Sequence, residues 1–297
     1  MHILRYRRRD SRGEHVGILA DGRLVELRGV RSLSWLWSLT LESLREMLNG
    51  ADGIEVDLAS VSVLAPIDGR TEVWACGVTY EISREARLEE SQHAPDVYQR
   101  VYEAERPELF FKSASWRVAG PGQPIAIRAD SQVTVPEPEV ALVISADGQI
   151  AGFTVCNDVS SRSIEGENPL YLPQAKNYLG ACALGPMIRP SWEIPDPYDL
   201  AIELMISRGG ATAWTGRAST AQLHRRYEDL VAYLVHSDIH PDGAVLSTGT
   251  CLVPPSPFTL EPGDTVRISV SELGVLENPV VRGLDEVRRA LEPARIP

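Results

Sequence analysis

Between residues 135 and 162 the chain reads VPEPEVALVISADGQIAGFTVCNDVSSR, two apolar runs joined by Asp147-Gly148. Asp-Gly accepts the positive φ angles of a tight hairpin turn, and Val, Ile, Phe and Thr suit a pleated, half-buried surface. Strands over 140–145 and 150–157, paired antiparallel, are therefore expected. With a two-residue loop, Ala146 faces Gln149, and in the same register Glu137 faces Asp158. Side chains alternate along a strand, so Glu139 shares the face of Glu137. Opposed residues have Cβ atoms ~4.5–5.5 Å apart, which gathers three carboxylates on one face. Such a cluster repels itself and a cation relieves it. Oxygen-only ligands favour a hard ion, Mg²⁺ with Mn²⁺ or Ca²⁺ as alternatives, over zinc. The pattern alone leaves a second reading open: a solvated acidic face on an edge strand, which Pro136 and Pro138 also suit. A bulge between the strands would break the register.

The rest of the chain sets this hairpin in a β-rich frame. Residues 16–27 (VGILADGRLVEL) form a second expected hairpin around Asp21-Gly22. A helix follows over 41–48, with Thr40 as N-cap and Gly50 past its end. Small residues, Pro66 and Asp68-Gly69 mark a join, dividing a small N-terminal domain, 1–67, from a larger one, 68–297. The larger part opens with a strand over 72–78 and a charged helical stretch. Pro95 then starts another helix, and 109–112 (LFFK) is a strand. Several short β runs occupy 123–158, and a helix is expected over 220–235, capped by Thr220. Regular strand–helix alternation is missing, which argues against a parallel α/β sheet. The expectation is an α+β, mainly β and mainly antiparallel architecture.

Charge and composition remove several function classes. Against 29 Lys+Arg stand 41 Asp+Glu, a net charge of −12. That disfavours sequence-independent nucleic-acid binding and an anionic membrane surface. No 18-residue apolar run offers a membrane-spanning helix. The basic start lacks an apolar segment of secretory type, and the four cysteines show no metal or disulfide spacing; a cytoplasmic setting is expected. Without GxGxxG, a Walker loop or GxSxG, no nucleotide cofactor or serine nucleophile is expected. His236 and His240 fall at a helix end without a third ligand, and Cys156 reads as an inert mid-strand core residue. Lys176 is the one charge in the aromatic- and Pro-rich segment NPLYLPQAKNYLGACALGP, where a plain surface lysine is the alternative reading. There, beside a cation, its neutral form is favoured, as a general base requires.

PEPEVALVI, GFTVCNDVSSR, Lys176 and LSTGT (246–250) together resemble the fumarylacetoacetate hydrolase superfamily, over about residues 70–275. The resemblance implies a mixed β-sandwich roll preceded by a small N-terminal α+β domain. It implies a divalent ion on Glu137, Glu139 and Asp158. The hydrolase and decarboxylase branch carries Tyr-x-x-His-x-x-Glu, whose His–Glu pair activates water. Here the segment runs from Tyr80 with Ser83 and Ala86 at those two positions, which argues against acylpyruvate or oxaloacetate C–C cleavage, the alternative function. GVTYEISREAR, VYEAERPELFFKS and SRSIEGENPLYLPQAKNY are instead similar to the branch that dehydrates 2-keto-3-deoxy sugar acids. That implies a 2-oxo acid substrate chelated by the ion, Lys176 as base at C3, and Glu108 as the acid that expels the C4 hydroxyl. A further hydroxyl loss is expected on the way to 2,5-dioxopentanoate. Arg84 pairs with the substrate carboxylate in this reading; Tyr80, Ser83, Glu165, Glu167 and Thr250 complete the substrate contacts. The resemblance also implies assembly as a homodimer or homotetramer.

Overall fold

A computed structural model of the chain describes residues 1–9, 11, 13–81 and 95–291. Its main feature is an eleven-stranded sheet. In spatial order its path runs Gly53–Val56, Arg23–Leu27, Glu14–Ala20, His2–Arg8, Cys182–Pro190, Ile150–Asp158, Pro138–Ile144, Ala244–Ser247, Glu72–Gly77 and Glu108–Ala114, with Val61–Val63 paired to His2–Arg8 off the path. A second sheet of five strands runs Ala211–Ser219, Ala201–Arg208, Thr265–Val270, Gly274–Arg282 and Ile125–Ile127. Pairing is antiparallel except where Ala244–Ser247 meets Glu72–Gly77 and Gly274–Arg282 meets Ile125–Ile127. The architecture is mainly β, mixed and layered, as the resemblance implies.

Alternation along Pro138–Ile144 explains how the layers hold. Val140, Leu142 and Ile144 point into a core shared with Leu204, Ile268 and Leu276 of the five-stranded sheet. Ala141 and Val143 point the other way, into a core shared with Leu33, Leu36, Trp37 and Leu44. Both faces are covered, so the strand reads as a continuous apolar run rather than an alternating one. Glu137 and Glu139 continue the second face beyond its apolar part. The N-terminal strands extend the same sheet, because Ile3 pairs with Ile188.

The two hairpins differ in a way the sequence does not announce. At Asp21-Gly22 both residues have positive φ, 51° and 76°, as a two-residue turn requires. At the second hairpin Ser145 N donates to Gln149 O (2.9 Å) and Ile144 faces Ile150. The loop is therefore three residues, 146–148, with Gly148 at φ 78°. Val143 then faces Gly152, leaving Ala151 as an extra residue. Loop and bulge each shift the register by one, and the shifts cancel. From Val143 to Pro138 the pairing is the one expected.

The helix expected over 220–235 is also corrected. Thr220–Gln222 is a short 3-10 turn capped by Ser219, and the α-helix is Tyr227–Val235. Thr220 is buried, and its hydroxyl donates to Pro197 O (3.1 Å) and accepts from Leu200 N (2.8 Å). Those bonds tie it to another strand's start, so it cannot serve as a helix cap. Thr40, by contrast, does cap Leu41–Asn49.

Candidate active site

Asp158 N donates to Glu137 O (3.0 Å) and Glu139 faces Cys156, so the register sets Glu137, Glu139 and Asp158 side by side. Each offers an oxygen within 4.8 Å of the others. All three are at most 2% exposed, which overturns the reading of a solvated edge. The strand has a neighbour on each side over 141–144, and past the ladder the segment 248–250 stays alongside, Thr248 N donating to Val140 O (3.1 Å).

Buried carboxylates need partners, and these have them unequally. Glu137 Oε1 accepts from Arg162 Nη2 (2.5 Å), and its Oε2 from Lys176 Nζ (2.6 Å). Asp158 Oδ2 accepts from Lys176 Nζ (3.2 Å), while Oδ1 pairs with Lys112. Lys176 also donates to the Ser160 hydroxyl (2.6 Å), and its ammonium lies 5.6 Å from the centre of the Phe110 ring. Glu139 has no cation partner among the described residues. Its Oε2 accepts from Ser247 Oγ (2.6 Å) and Gly249 N (2.9 Å). Burial, then the charge on Asp158, holds the Glu139 carboxyl well above the usual carboxylate range. A hard dication seated on these oxygens removes that penalty, so the donor set fits Mg²⁺, Mn²⁺ or Ca²⁺.

The turn at 248–250, just past the strand Ala244–Ser247, is shaped for this task. Gly249 has φ 89°, and a Cβ there would overlap the Thr79 hydroxyl. Only glycine lets the backbone approach closely enough for its N–H to reach Glu139. The Thr250 hydroxyl donates to Pro138 O (2.9 Å), which fastens the turn to the strand carrying the ligands.

Glu108, Glu137, Glu139, Glu165 and Lys176 border one pocket of about 20 Å³, space for a single ion or water; Thr250 borders it too. Glu167 lies elsewhere, on a pocket of about 340 Å³ whose wall includes Arg162. Tyr80 is packed in the core and its backbone bridges to Leu223. Burial first raises its phenol well above the usual value. Ser83 and Arg84, together with Ala86, lie outside the described residues. Sequence reasoning passed over Lys112, Ser160, Arg162 and Ser247. Two signals were present: a lysine closing the apolar run LFFK, and an arginine four residues after Asp158.

Glu108 faces Gly77 across a strand pair, and a Cβ at Gly77 would overlap its carboxylate. Gly77→Ala therefore displaces the flexible carboxylate while leaving the backbone in place. If Glu108 is the proton donor, the variant melts near wild type but turns over about 10²-fold more slowly, the low end for a lost general acid. Steady-state kinetics decides; wild-type turnover would remove Glu108 from that role.

The family model for the fumarylacetoacetate (FAA) hydrolase C-terminal domain matches residues 73–281. A Haloferax volcanii protein named a probable 2-keto-3-deoxyxylonate dehydratase is 44% identical over 235 residues, 79% of this chain and 80% of its own length. The 2-dehydro-3-deoxy-D-arabinonate dehydratase of Saccharolobus solfataricus is 44% identical over 223 residues, 74% of each chain. Among solved structures, 2-keto-3-deoxy-D-arabinonate dehydratase complexed with magnesium and 2,5-dioxopentanoate superposes with a TM-score of 0.83. It is 34% identical, over 95% of this chain and 99% of that one. The matched span holds the carboxylate triad and Lys176, and on this match the chain belongs to the fumarylacetoacetate hydrolase family.

Proposed function

We propose that this chain is a divalent-cation-dependent hydro-lyase that converts a 2-keto-3-deoxy-pentonate to 2,5-dioxopentanoate. The observation that carries the reading is likeness along nearly the whole chain to a dehydratase whose structure contains magnesium and 2,5-dioxopentanoate. The buried oxygen triad supports it independently. Mg²⁺ held by Glu137, Glu139 and Asp158 supplies Lewis-acid stabilisation of charge developing on a 2-oxo acid.

The protein's own groups handle the protons. Lys176 takes one from C3. Glu108 gives one to the C4 hydroxyl, which leaves as water, and a C3–C4 double bond forms. Moving a proton from C5 to C3 then yields the enol of the C5 aldehyde. One water leaves in all, and the C5 oxygen stays in the product, so atom balance corrects the expected loss of a further hydroxyl. Arg84 is the proposed partner of the C1 carboxylate, with Tyr80, Ser83, Glu165, Glu167 and Thr250 as the other proposed contacts. Glu165 and Thr250 border the same pocket as Lys176, which supports their part.

The proposed setting is cytoplasmic, in keeping with four free cysteines, and the proposed assembly is a homodimer or homotetramer. None of the described helices is long and apolar enough to cross a membrane. The proposed units are 1–67 and 68–297, a division supported by the start of the family match at residue 73. The test is mass-spectrometric product analysis with epimeric 2-keto-3-deoxy-pentonates, acylpyruvates and oxaloacetate in parallel. Loss of one water from one pentonate epimer is expected. Release of pyruvate or carbon dioxide, with the pentonates untouched, would overturn the reading.

A further inference from the structure

We infer that Lys112 is a positioning residue: it fixes Lys176 relative to Asp158 and moderates the affinity of the carboxylates for a dication. Lys112 lies on Glu108–Ala114, where the pairing slips: Val73 faces Ser113 but Trp74 faces Phe111. Lys112 is the extra residue of that bulge, and bulges re-aim side chains. The side chain is 0% exposed. Its ammonium pairs with Asp158 Oδ1 and donates to Val159 O (3.1 Å) and Lys176 O (2.6 Å). The two carbonyls take two of the ammonium's three protons, and the contact with Asp158 is an ion pair.

Those acceptors have separate consequences. The bond to Lys176 O tethers the last residue of the short helix Leu172–Lys176, whose side chain is the candidate base. The pair with Asp158 places a fixed cation on one of the three candidate ligands, in competition with any dication for its charge. Lys112 is not among the residues bordering the pocket, so it acts through Asp158 and Lys176 rather than on substrate.

The two effects predict changes of opposite sign when the ammonium is removed. Without the tether, Lys176 is misplaced and turnover falls. Without the fixed cation, the carboxylates draw a dication more strongly. A lysine that only supported the fold would lose metal binding and turnover together. The kinetic half rests on the proposed dehydratase reading; the metal half does not.

The experiment uses the full chain as wild type, Lys112→Met and Lys112→Gln. Gln keeps a donor for the carbonyls and carries the test if Met does not fold. Mn²⁺ affinity is measured by electron paramagnetic resonance, melting temperature with and without Mn²⁺, and kcat and KM at saturating metal. Mn²⁺ is expected to bind roughly threefold to tenfold more tightly than in wild type, with a larger rise in melting temperature, because an opposing charge is gone. The kcat is expected to fall about 10²-fold with little change in KM, as for a catalytic group displaced by ~1 Å. Weaker Mn²⁺ binding, or an unchanged kcat in an active series, would overturn the inference. If wild type itself does not dehydrate any pentonate, the functional reading fails; tighter Mn²⁺ binding in the variants then still supports the inference, and weaker binding overturns it.

Discussion

Lys176→Met is expected to bind Mn²⁺ and yet lose turnover by about 10²–10⁴-fold, the range a general base contributes. Met keeps the length of the apolar stem and removes only the charged end. That end is within 2.6 Å of Glu137 Oε2 and 3.2 Å of Asp158 Oδ2, so its loss frees charge on two candidate ligands. Metal binding is therefore retained or strengthened while the proton acceptor at C3 is missing. Removing one member of a buried ion pair destabilises by about 3–5 kcal/mol, so the melt should be run with saturating Mn²⁺ to restore the balance. Metal titration beside single-turnover kinetics checks this. A variant with wild-type turnover would remove Lys176 from the role of base.

The second large effect belongs to the triad. Asp158→Asn is expected to weaken Mn²⁺ binding more than about 100-fold, since even outer partners of a metal ligand are worth 10–100-fold. Turnover should be lost with it. Asp158 also holds two buried ammonium groups, so stability falls by about 3–5 kcal/mol as well. Glu139→Gln separates the two losses. Glu139 is met by a hydroxyl and a backbone N–H, and a neutral amide avoids the burial of its charge. That variant should lose metal and turnover while melting at or above the metal-free wild type. Calorimetric Mn²⁺ titration and thermal melts distinguish them; unchanged affinity in both variants would exclude this ligand set.

The ligand face was legible because period-two alternation is robust and the hairpin ends were well marked. Its correctness depended on a cancellation. The three-residue loop and the bulge at Ala151 offset each other, and neither leaves a signal in local composition. Lys112 shows the opposite outcome. An uncompensated bulge turns a charged residue inward, whereas pattern reasoning leaves a lone lysine at the surface. Arg162 was passed over for the same reason: its burial follows from Glu137, twenty-five positions away in the chain. Thr220 looked like a helix cap, but its hydroxyl is committed to Pro197 and Leu200, contacts that depend on the tertiary fold. Glu165 and Glu167 share one short helix, yet of the two only Glu165 borders the pocket of Glu137, Glu139 and Lys176. Positions two apart on a helix point to different sides, so one short helix sends Glu165 to one pocket and Glu167 to another.

Dehydration in this protein depends, in the proposed reading, on a divalent ion held by the buried triad. Its most direct test is a proton NMR time course of the purified chain with a 2-keto-3-deoxy-pentonate, run with Mg²⁺ and again after removal of divalent ions with EDTA. Loss of the C4 hydroxyl and growth of a C5 aldehyde signal are expected with Mg²⁺, arrest with EDTA, and recovery when Mg²⁺ is restored. Dehydration that continues undiminished in EDTA, or no dehydration of any epimer with Mg²⁺ present, would contradict it.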